Sequence, residues 1–351
     1  MGRKADNALS VRSISVITFS AVMLASIGII AYLALAAWMH SADQIMRYMA
    51  DELNRDTRQR IDMFVKSSEG VSRCSGDLLE HGTPDLSDEV ERDRFFTSAL
   101  GAHGDEIFRF AFCTSDGALY GAKKASDGGM RILRRDSSTG GILRQYMVQA
   151  DLTAGEALKG GQIHDPRTLT WYKAAVDTGA PAFSPIHLDY AVNQLMVSAS
   201  RPIYGSAGDL KGVLVADILL SDLGANLEET VSGNDAYAFI VEKDTGLLVA
   251  NSLGLDNHSV SRSGSLRRYA IDELDVPGIA ESFRQFSVGS DAEYFLRSGD
   301  LNLHVNAREY KRAGLNWVIL TIIPEPYLMA EVDRNIWRTA LLVVVAILVS
   351  M

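Results

Sequence analysis

From Ser13 to Met39 the chain carries no charged residue: SISVITFSAVMLASIGIIAYLALAAWM. A helix that crosses a bilayer needs about 20 predominantly apolar residues, so this segment constrains everything that follows it. Arg3, Lys4 and Arg12 stand before it, whereas Asp43, Arg47, Asp51 and Glu52 mix signs after it. The positive-inside rule then places residues 1–12 in the cytoplasm and the chain beyond the span outside, with Trp38 at the outer interface. Ala34, Ala36 and Ala37 are small residues near a conceivable cleavage point, but a signal-peptide apolar region runs only about 7–15 residues. A retained transmembrane helix over 13–39 is expected. After Arg338 the chain reads TALLVVVAILVSM, too short for a hydrocarbon core of about 30 Å. Residues 336–351 are therefore expected to be the start of a second span that has been cut short, ahead of a cytoplasmic domain.

The net charge of −10 and the absence of a clustered basic face argue against nucleic acid as a partner. The two cysteines, Cys74 and Cys113, fit no metal spacing and make no disulfide framework. No metalloprotease helix, nucleophile motif or glycine-rich phosphate loop is present. No catalytic residue, metal or cofactor is expected in these residues.

Between the apolar ends the periodicity changes once. From Ser41 to about residue 80, Ile45, Met49, Leu53, Ile61, Phe64, Val71 and Leu78 recur at helical intervals among charged residues, which predicts one long amphipathic helix. Such a helix lies along a large domain or pairs with its twin in a dimer. Thr83, Pro84 and Asp85 end it, and a polar stretch follows. IFRFAFC (Ile107 to Cys113) then alternates, with Phe108, Phe110 and Phe112 expected on one face. SDG turns it and ALYGA returns. A third strand is expected over Met130 to Arg134, a loop with a short helix over Ser137 to Gly161, and a helix over Trp171 to Asp177. LMVSASRPIY and LKGVLVADILL form a long hairpin around GSAGD. The pattern restarts with YAFIVE, KDTG and LLVAN, a helix near Ile279 to Phe286, and the strands EYFLRSG, LNLHVNAREY and GLNWVILTII. These are two mixed units of similar plan rather than a solenoid.

The candidate site residues cluster in HDPRTLTWYKAAVDTGAPAFSPIHLDY, His164 to Tyr190. Asp165-Pro166 positions a turn. Arg167 either pins that turn or reaches a ligand carboxylate with its planar fork. Trp171 and Tyr172 are large amphipathic rings that fill core or face a ligand. His187 and Asp189 alternate along a strand and share one face; they line a pocket or form a satisfied pair, with no third metal ligand at a suitable spacing. Asp217 interrupts the apolar strand VLVADILL, where a carboxylate is costly unless paired. It is either tied to backbone donors and Arg201 or waits for a cation.

DPRTLTWYKAA, FSPIHLD and VSASRPIYGSAGDLKGVLVADILLSDL resemble the extracytoplasmic double Cache sensor modules of bacterial transmembrane receptors. The resemblance spans roughly Ser41 to Pro326 and is strongest from Asp165 to Leu223. It implies an α+β fold: two tandem PAS-like antiparallel-sheet domains on a long N-terminal helix, flanked by transmembrane helices. The implied divisions are a stalk helix over 41–80, a membrane-distal domain over 85–228 and a membrane-proximal domain over 229–327. In the amino-acid-binding branch of that family an Asp at the position of Asp217 takes the ligand ammonium, with Trp171 and Tyr172 at the pocket. An Arg two residues before the Trp takes the carboxylate, but here that residue is Leu169, and the Tyr of the SPIHLD segment is replaced by His187. The ligand expected is therefore an amine, an amino acid or another small metabolite.

The resemblance implies a ligand sensor in the plasma membrane, mostly periplasmic, with a homodimer expected. It would signal to a cytoplasmic output domain, a diguanylate cyclase ahead of a histidine kinase, adenylate cyclase or chemotaxis domain. The alternative is an anchored extracytoplasmic binding protein without such output.

Overall fold

The N-terminal apolar segment and the amphipathic stretch after it are one continuous helix in this computed structural model, which describes residues 11–104, 106–161, 164–189, 192–233, 236–289, 293–324, 337, 338, 340, 341 and 345. Helix α1 (Val11–Glu80) has 70 residues and would reach about 105 Å at 1.5 Å per residue. Its stretch Thr18–Ser41 is, among the described residues, the one helix long and apolar enough to cross a membrane. The segment 1–12 up to residue 10, and most of the second span expected over 336–351, lie outside the described residues. Beyond the apolar stretch, Ala50, Leu53, Thr57, Ile61, Phe64, Ser68, Ser72, Ser75 and Leu79 make one buried seam at the three- and four-residue spacing of a helix face. Ile45 and Leu78, expected on that seam, are exposed because each falls one position out of its phase.

Glu89–Ala102 forms a second helix, α2, where only a polar stretch was expected. Asp88 caps it by accepting from the backbone N–H groups of Val90 and Glu91 at 2.8 and 3.1 Å. Phe96 and Leu100 carry its buried side.

The first sheet then assembles from β1 (Arg109–Thr114), β2 (Leu119–Lys124), β3 (Met130–Arg135), β4 (Arg144–Val148) and β5 (Ala154–Ala157). Helix α3 (Thr170–Thr178) follows, then β6 (Ala182–Phe183), β7 (His187–Asp189), β8 (Gln194–Tyr204) and β9 (Leu210–Leu219). The order is β5-β4-β3-β2-β1-β9-β8-β6, with β7 also pairing β8, and the pairings are antiparallel. The loop and short helix expected over Ser137 to Gly161 are replaced by β4 and β5. β5 is the edge strand and β4 lies between it and β3; with few buried side chains, both are held by backbone pairing and not by an apolar alternation. Phe108 also departs from expectation. It precedes β1 and packs with Met196 and Leu219, while Phe110 and Phe112 face the helices.

Helix α4 (Leu220–Val231) leads into the second sheet, formed by β10 (Tyr237–Glu242), β11 (Leu248–Asn251), β14 (Glu293–Ser298), β15 (Leu301–Arg312) and β16 (Leu315–Pro324). Its order is β11-β10-β16-β15-β14. A small hairpin, β12 (His258–Val260) with β13 (Leu266–Arg268), and helix α5 (Ile279–Val288) complete the unit. In both units the opening strand pairs with the last long one, β1 with β9 and β10 with β16. The architecture is α+β with two antiparallel sheets on a long N-terminal helix, as the sequence implied.

The stalk and both units share one core. Leu53, Ile61 and Phe64 of α1, Phe110, Val197 and Leu214 of the first sheet, Leu223 and Leu227 of α4, and Ile240, Trp317 and Ile319 of the second sheet belong to a single buried cluster. Polar ties reinforce it. The Tyr310 hydroxyl donates to Asp62 on α1 at 2.8 Å, and Arg201 of β8 reaches Asp77 and Glu80 at 2.8 and 3.1 Å. The two sheets also touch directly, because the backbone N–H of Phe183 in β6 donates to the carbonyl of Ala313 in the β15–β16 turn at 2.9 Å. Gly314 follows with φ +91°, and a Cβ there would collide with the Phe183 carbonyl. Gly314→Ala is expected to cost roughly 1–3 kcal/mol from its left-handed backbone alone. A urea titration of the full chain in detergent checks this, with Gly299→Ala as the comparison: Gly299 is also left-handed, at φ +60°, but a Cβ there meets open space, so it carries the backbone cost without the collision.

Candidate functional site

The alternation of β1 divides its residues between two environments. Phe110 and Phe112 face α1 and α2, so Arg109, Ala111 and Cys113 face the other way, where Ala111 and Cys113 pack under α3. The register then carries the row of Arg109 across the sheet. Arg109 stands opposite Asp217 on one side and Lys123 on the other; Asp217 stands opposite Ser198, and Lys123 opposite Arg131. Directly opposed residues project to the same face. One face therefore bears Arg131, Lys123, Arg109, Asp217 and Ser198 in a line over five strands.

Asp217 has no exposed surface. Its Oδ2 takes the Arg109 Nε–H and its Oδ1 the Ser198 hydroxyl. Arg109 Nη1 also donates to Asp189 Oδ2 at 3.2 Å, and Nη2 lies 3.8 Å from Met196 Sδ. One guanidinium thus joins two carboxylates from different strands. Burial opposes the charge on Arg109, but Asp217 and Asp189 outweigh it and raise the guanidinium's pKa above its ordinary value. Of the two alternatives read from the sequence, Asp217 is tied, though not by Arg201, which turns to the stalk.

Lys123 is the unmatched member. It is half-buried, and among the described residues no carboxylate lies within ion-pair distance of it. Burial first, with Arg109 and Arg131 adding, holds its ammonium below the usual lysine range; Asp189 opposes the shift without cancelling it. Arg131 on its far side pairs with the exposed Asp127.

The next row along the same face is Val215, Ala111, Gly121 and Leu133. Ala111, Val215 and Leu133 pack with Trp171 and Tyr172 of α3. The two rings meet edge to face at 5.8 Å. Trp171 is 1% exposed, yet its indole N–H has no hydrogen-bond partner among the described residues, a state that buried donors rarely keep.

The remaining expected residues divide. Asp189 joins the Arg109 network. His187, one pair along β7, lies opposite Met196 on the same face, and its Nδ1–H donates to the Pro185 carbonyl at 3.1 Å. Arg167 is elsewhere. It clamps Asp165 at 2.7 Å and donates to the Ser115 carbonyl at 3.0 Å, six residues along from Arg109, or ~20 Å of strand. Its hydrogen bonds hold the Asp165 carboxyl down to about 2, the mark of a pinned turn. The Tyr172 hydroxyl feels Cys113, Arg167 and Asp165, so it too lies toward that end. Sequence reading missed Arg109, Lys123, Arg131 and Ser198. The available signal was the alternation itself, which puts Arg109 opposite in sense to Phe110 and Phe112.

Two clefts lie apart from this row. One, of about 580 Å³, separates the units between Gln194, Ser221 and Glu228 on one side and Asn257, His258 and Tyr269 on the other. The second, of about 460 Å³, lies between Lys66–Arg73 of α1, β6, β8 and Ala313. No cluster of metal-ligating residues occurs among the described residues.

Residues 126–225, which include Arg131, Trp171, Tyr172, His187, Asp189 and Asp217, match the family model described as methyl-accepting chemotaxis protein-like, first PDC sensor domain. The fold is similar to the ligand-binding domain of the Campylobacter jejuni chemoreceptor Tlp3 in complex with 4-methylisoleucine. The TM-score is 0.53 and identity 14%, over 82% of this chain and 93% of that one. It also resembles that domain in complex with L-valine, with TM-score 0.53 and 13% identity over 82% of this chain and 96% of that one. The ligand-binding domain of Mlp24 with asparagine gives TM-score 0.50 and 13% identity, covering 84% and 99%. The fold is thus that of tandem PAS-like sensor domains.

The charged row makes stability statements of opposite sign. Arg109→Met strands two carboxylates, one fully buried, and is expected to cost about 3–5 kcal/mol. Lys123→Met should instead stabilise the ligand-free chain. With the folded pKa of Lys123 lowered by burial, the unfolded chain binds more protons between that value and the ordinary 10.5, so the native state gains stability as pH rises through this window. Below it the buried ammonium carries its full cost, which methionine removes. Urea midpoints of both variants in detergent, at pH 7 and pH 10, measure the two signs; the advantage of Lys123→Met should shrink at pH 10.

Proposed function

We propose that this chain is the sensing part of a membrane receptor, anchored by Thr18–Ser41, with both sheets outside the cytoplasm and a small-molecule site on the α3 face of the first sheet. The observation that carries the reading is Asp217, a fully buried carboxylate held by Arg109 and Ser198 one row along the sheet from the residues that pack on Trp171. A purely structural sheet has no need of a charged row at its centre, and ionisable clusters of this kind concentrate at functional sites. The match of residues 126–225 to a sensor-domain family supports the same reading.

A route for the signal exists in the hydrogen bonds. Ser198, whose hydroxyl holds Asp217, donates its backbone N–H to the Ser184 hydroxyl at 3.2 Å, and Ser184 returns its own N–H to the Ser198 carbonyl at 2.9 Å. The adjacent Phe183 holds the β15–β16 turn through Ala313. Movement of β8 at the site is thereby passed to β16, which runs toward the C-terminal segment. A ligand drives such a change only through different affinity for the two arrangements.

A homodimer along α1 belongs to this reading, supported by Ile45, Tyr48 and Met63, which stand exposed on the stalk. So does a cytoplasmic output domain, with a diguanylate cyclase as the first expectation on resemblance alone. The test is thermal unfolding of the full chain in detergent across amino acids, amines, carboxylates and purines. A ligand at 100 times its Kd should add about 2.7 kcal/mol. The shift should vanish in Trp171→Ala and Ser198→Ala. A shift that survives both would move the site away from this face.

A further inference from the structure

We propose that the site under α3 takes a small organic carboxylate, with Lys123 as its counter-charge, and not an ammonium-bearing ligand. The inference rests on the sensor reading above and names the chemistry of its ligand.

The first argument is occupancy. A cationic ligand group would need a free carboxylate on this face. Asp217 has both oxygens engaged, one by the Arg109 guanidinium and one by the Ser198 hydroxyl, and Asp189 is bound to the same guanidinium. Arg109 already stands where a ligand cation would have to go.

The second argument is charge. Arg109, Lys123 and Arg131 are directly opposed on three neighbouring strands, and like charges so placed repel. Arg109 is relieved by Asp217 and Asp189, and Arg131 by Asp127. Lys123, between them, has no carboxylate in ion-pair contact among the described residues. Burial is the main reason its charge is disfavoured; of the charged groups facing it, Asp189 opposes the shift and Arg109 and Arg131 add to it. An arriving cation would meet the uncompensated Lys123 ammonium and carboxylates already paired with Arg109 and Arg131. An arriving anion would relieve the repulsion.

The third argument is the hydrogen-bond inventory. Among the described residues the unpartnered groups on this face are the Lys123 ammonium, the buried indole N–H of Trp171 and the Ser200 hydroxyl opposite Val215, each able to donate. Lysine offers three donors and no acceptor, and indole a single donor. A carboxylate supplies the acceptors both lack. Between these groups the sheet contributes Ala111 and Gly121, which add almost no side-chain volume beside Lys123. Leu133 and Val215 of the same row favour a short apolar body on the ligand.

The experiment follows the thermal midpoint of the full chain in detergent with two matched series. Acetate, propionate, pyruvate, succinate and benzoate form one; ethylamine, putrescine, glycine and L-alanine form the other, with inorganic phosphate alongside. At least one carboxylate should raise the midpoint progressively with concentration, while the amines leave it unchanged. Lys123→Gln should weaken that carboxylate by about tenfold or more, the worth of one charge-assisted hydrogen bond, and Lys123→Arg should restore much of it. Trp171→Phe keeps the packing and removes the donor; it should weaken the same ligand without lowering the ligand-free midpoint by much. Stabilisation by an amine or amino acid, lost in Asp217→Asn, would overturn the carboxylate assignment and leave the sensor reading standing. A response to phosphate alone, or a carboxylate response indifferent to Lys123→Gln, would also overturn it. Silence of every probe with wild-type protein would remove the carboxylate assignment, and the wider panel with Trp171→Ala then decides the sensor reading separately.

Discussion

A carboxylate with no contact with water, placed at the middle of a nine-stranded sheet, must be met by a cation or give up its charge. Arg109 meets Asp217, and much of the first unit is arranged around that fact. The guanidinium comes from β1, which opens the unit, and the carboxylate from β9, which closes it. The ion pair therefore spans the contact between first and last strand that defines the unit's topology. Asp189 brings β7 to the same centre and Ser198 adds β8. Such a network is weak evidence for net stability, since well-packed apolar residues often do as well. Its effect is to fix which residues stand opposite which, and so to fix the row that Lys123 and Arg131 extend.

The two faces of the sheet consequently serve different ends. The face with Phe110, Phe112, Val197 and Leu214 joins the stalk and the second unit in one buried cluster. The face with Arg109, Lys123 and Asp217 is charged and only partly covered by α3. Because side chains alternate along a strand, a change on the charged face displaces the backbone that carries the packed face. Ser198 illustrates this: its hydroxyl serves Asp217, its backbone holds Ser184, and its neighbours Val197 and Ala199 lie in the shared core. The second sheet is reached through Phe183 and Ala313, where Gly314 permits a backbone approach that a Cβ would block.

The resemblance implied Trp171, Tyr172 and Asp217 as pocket residues of an amino-acid-binding pattern, with Leu169 and His187 standing where that pattern has Arg and Tyr. Arg109 adds a cation inside the carboxylate pair. A fold shared at 14% identity does not carry a ligand with it; the donors and acceptors left unpaired on the face are the better guide.

Local pattern in the sequence determined the anchor, the stalk helix, the tandem plan and nearly every long strand, because each is written in a period of 3.6 or 2 residues over many positions. It also marked Asp217 as anomalous, since a charge inside an apolar strand needs a partner wherever the strand lies. The short strands β4 and β5 were not legible, because pairing with neighbours rather than side-chain burial sustains them. Helix α2 was passed over because its buried residues are few and include Arg92 and Asp93. Tertiary structure alone decided which cation answers Asp217. Arg109 and Asp217 are 108 residues apart, and only the register of β1 against β9 makes them neighbours. It likewise sent Arg201 to the stalk, confined Arg167 to its turn, and left Lys123 between two arginines with no carboxylate in ion-pair contact among the described residues. Charge pairing across a sheet depends on register, and register is a property of strands brought together, not of any one strand read alone.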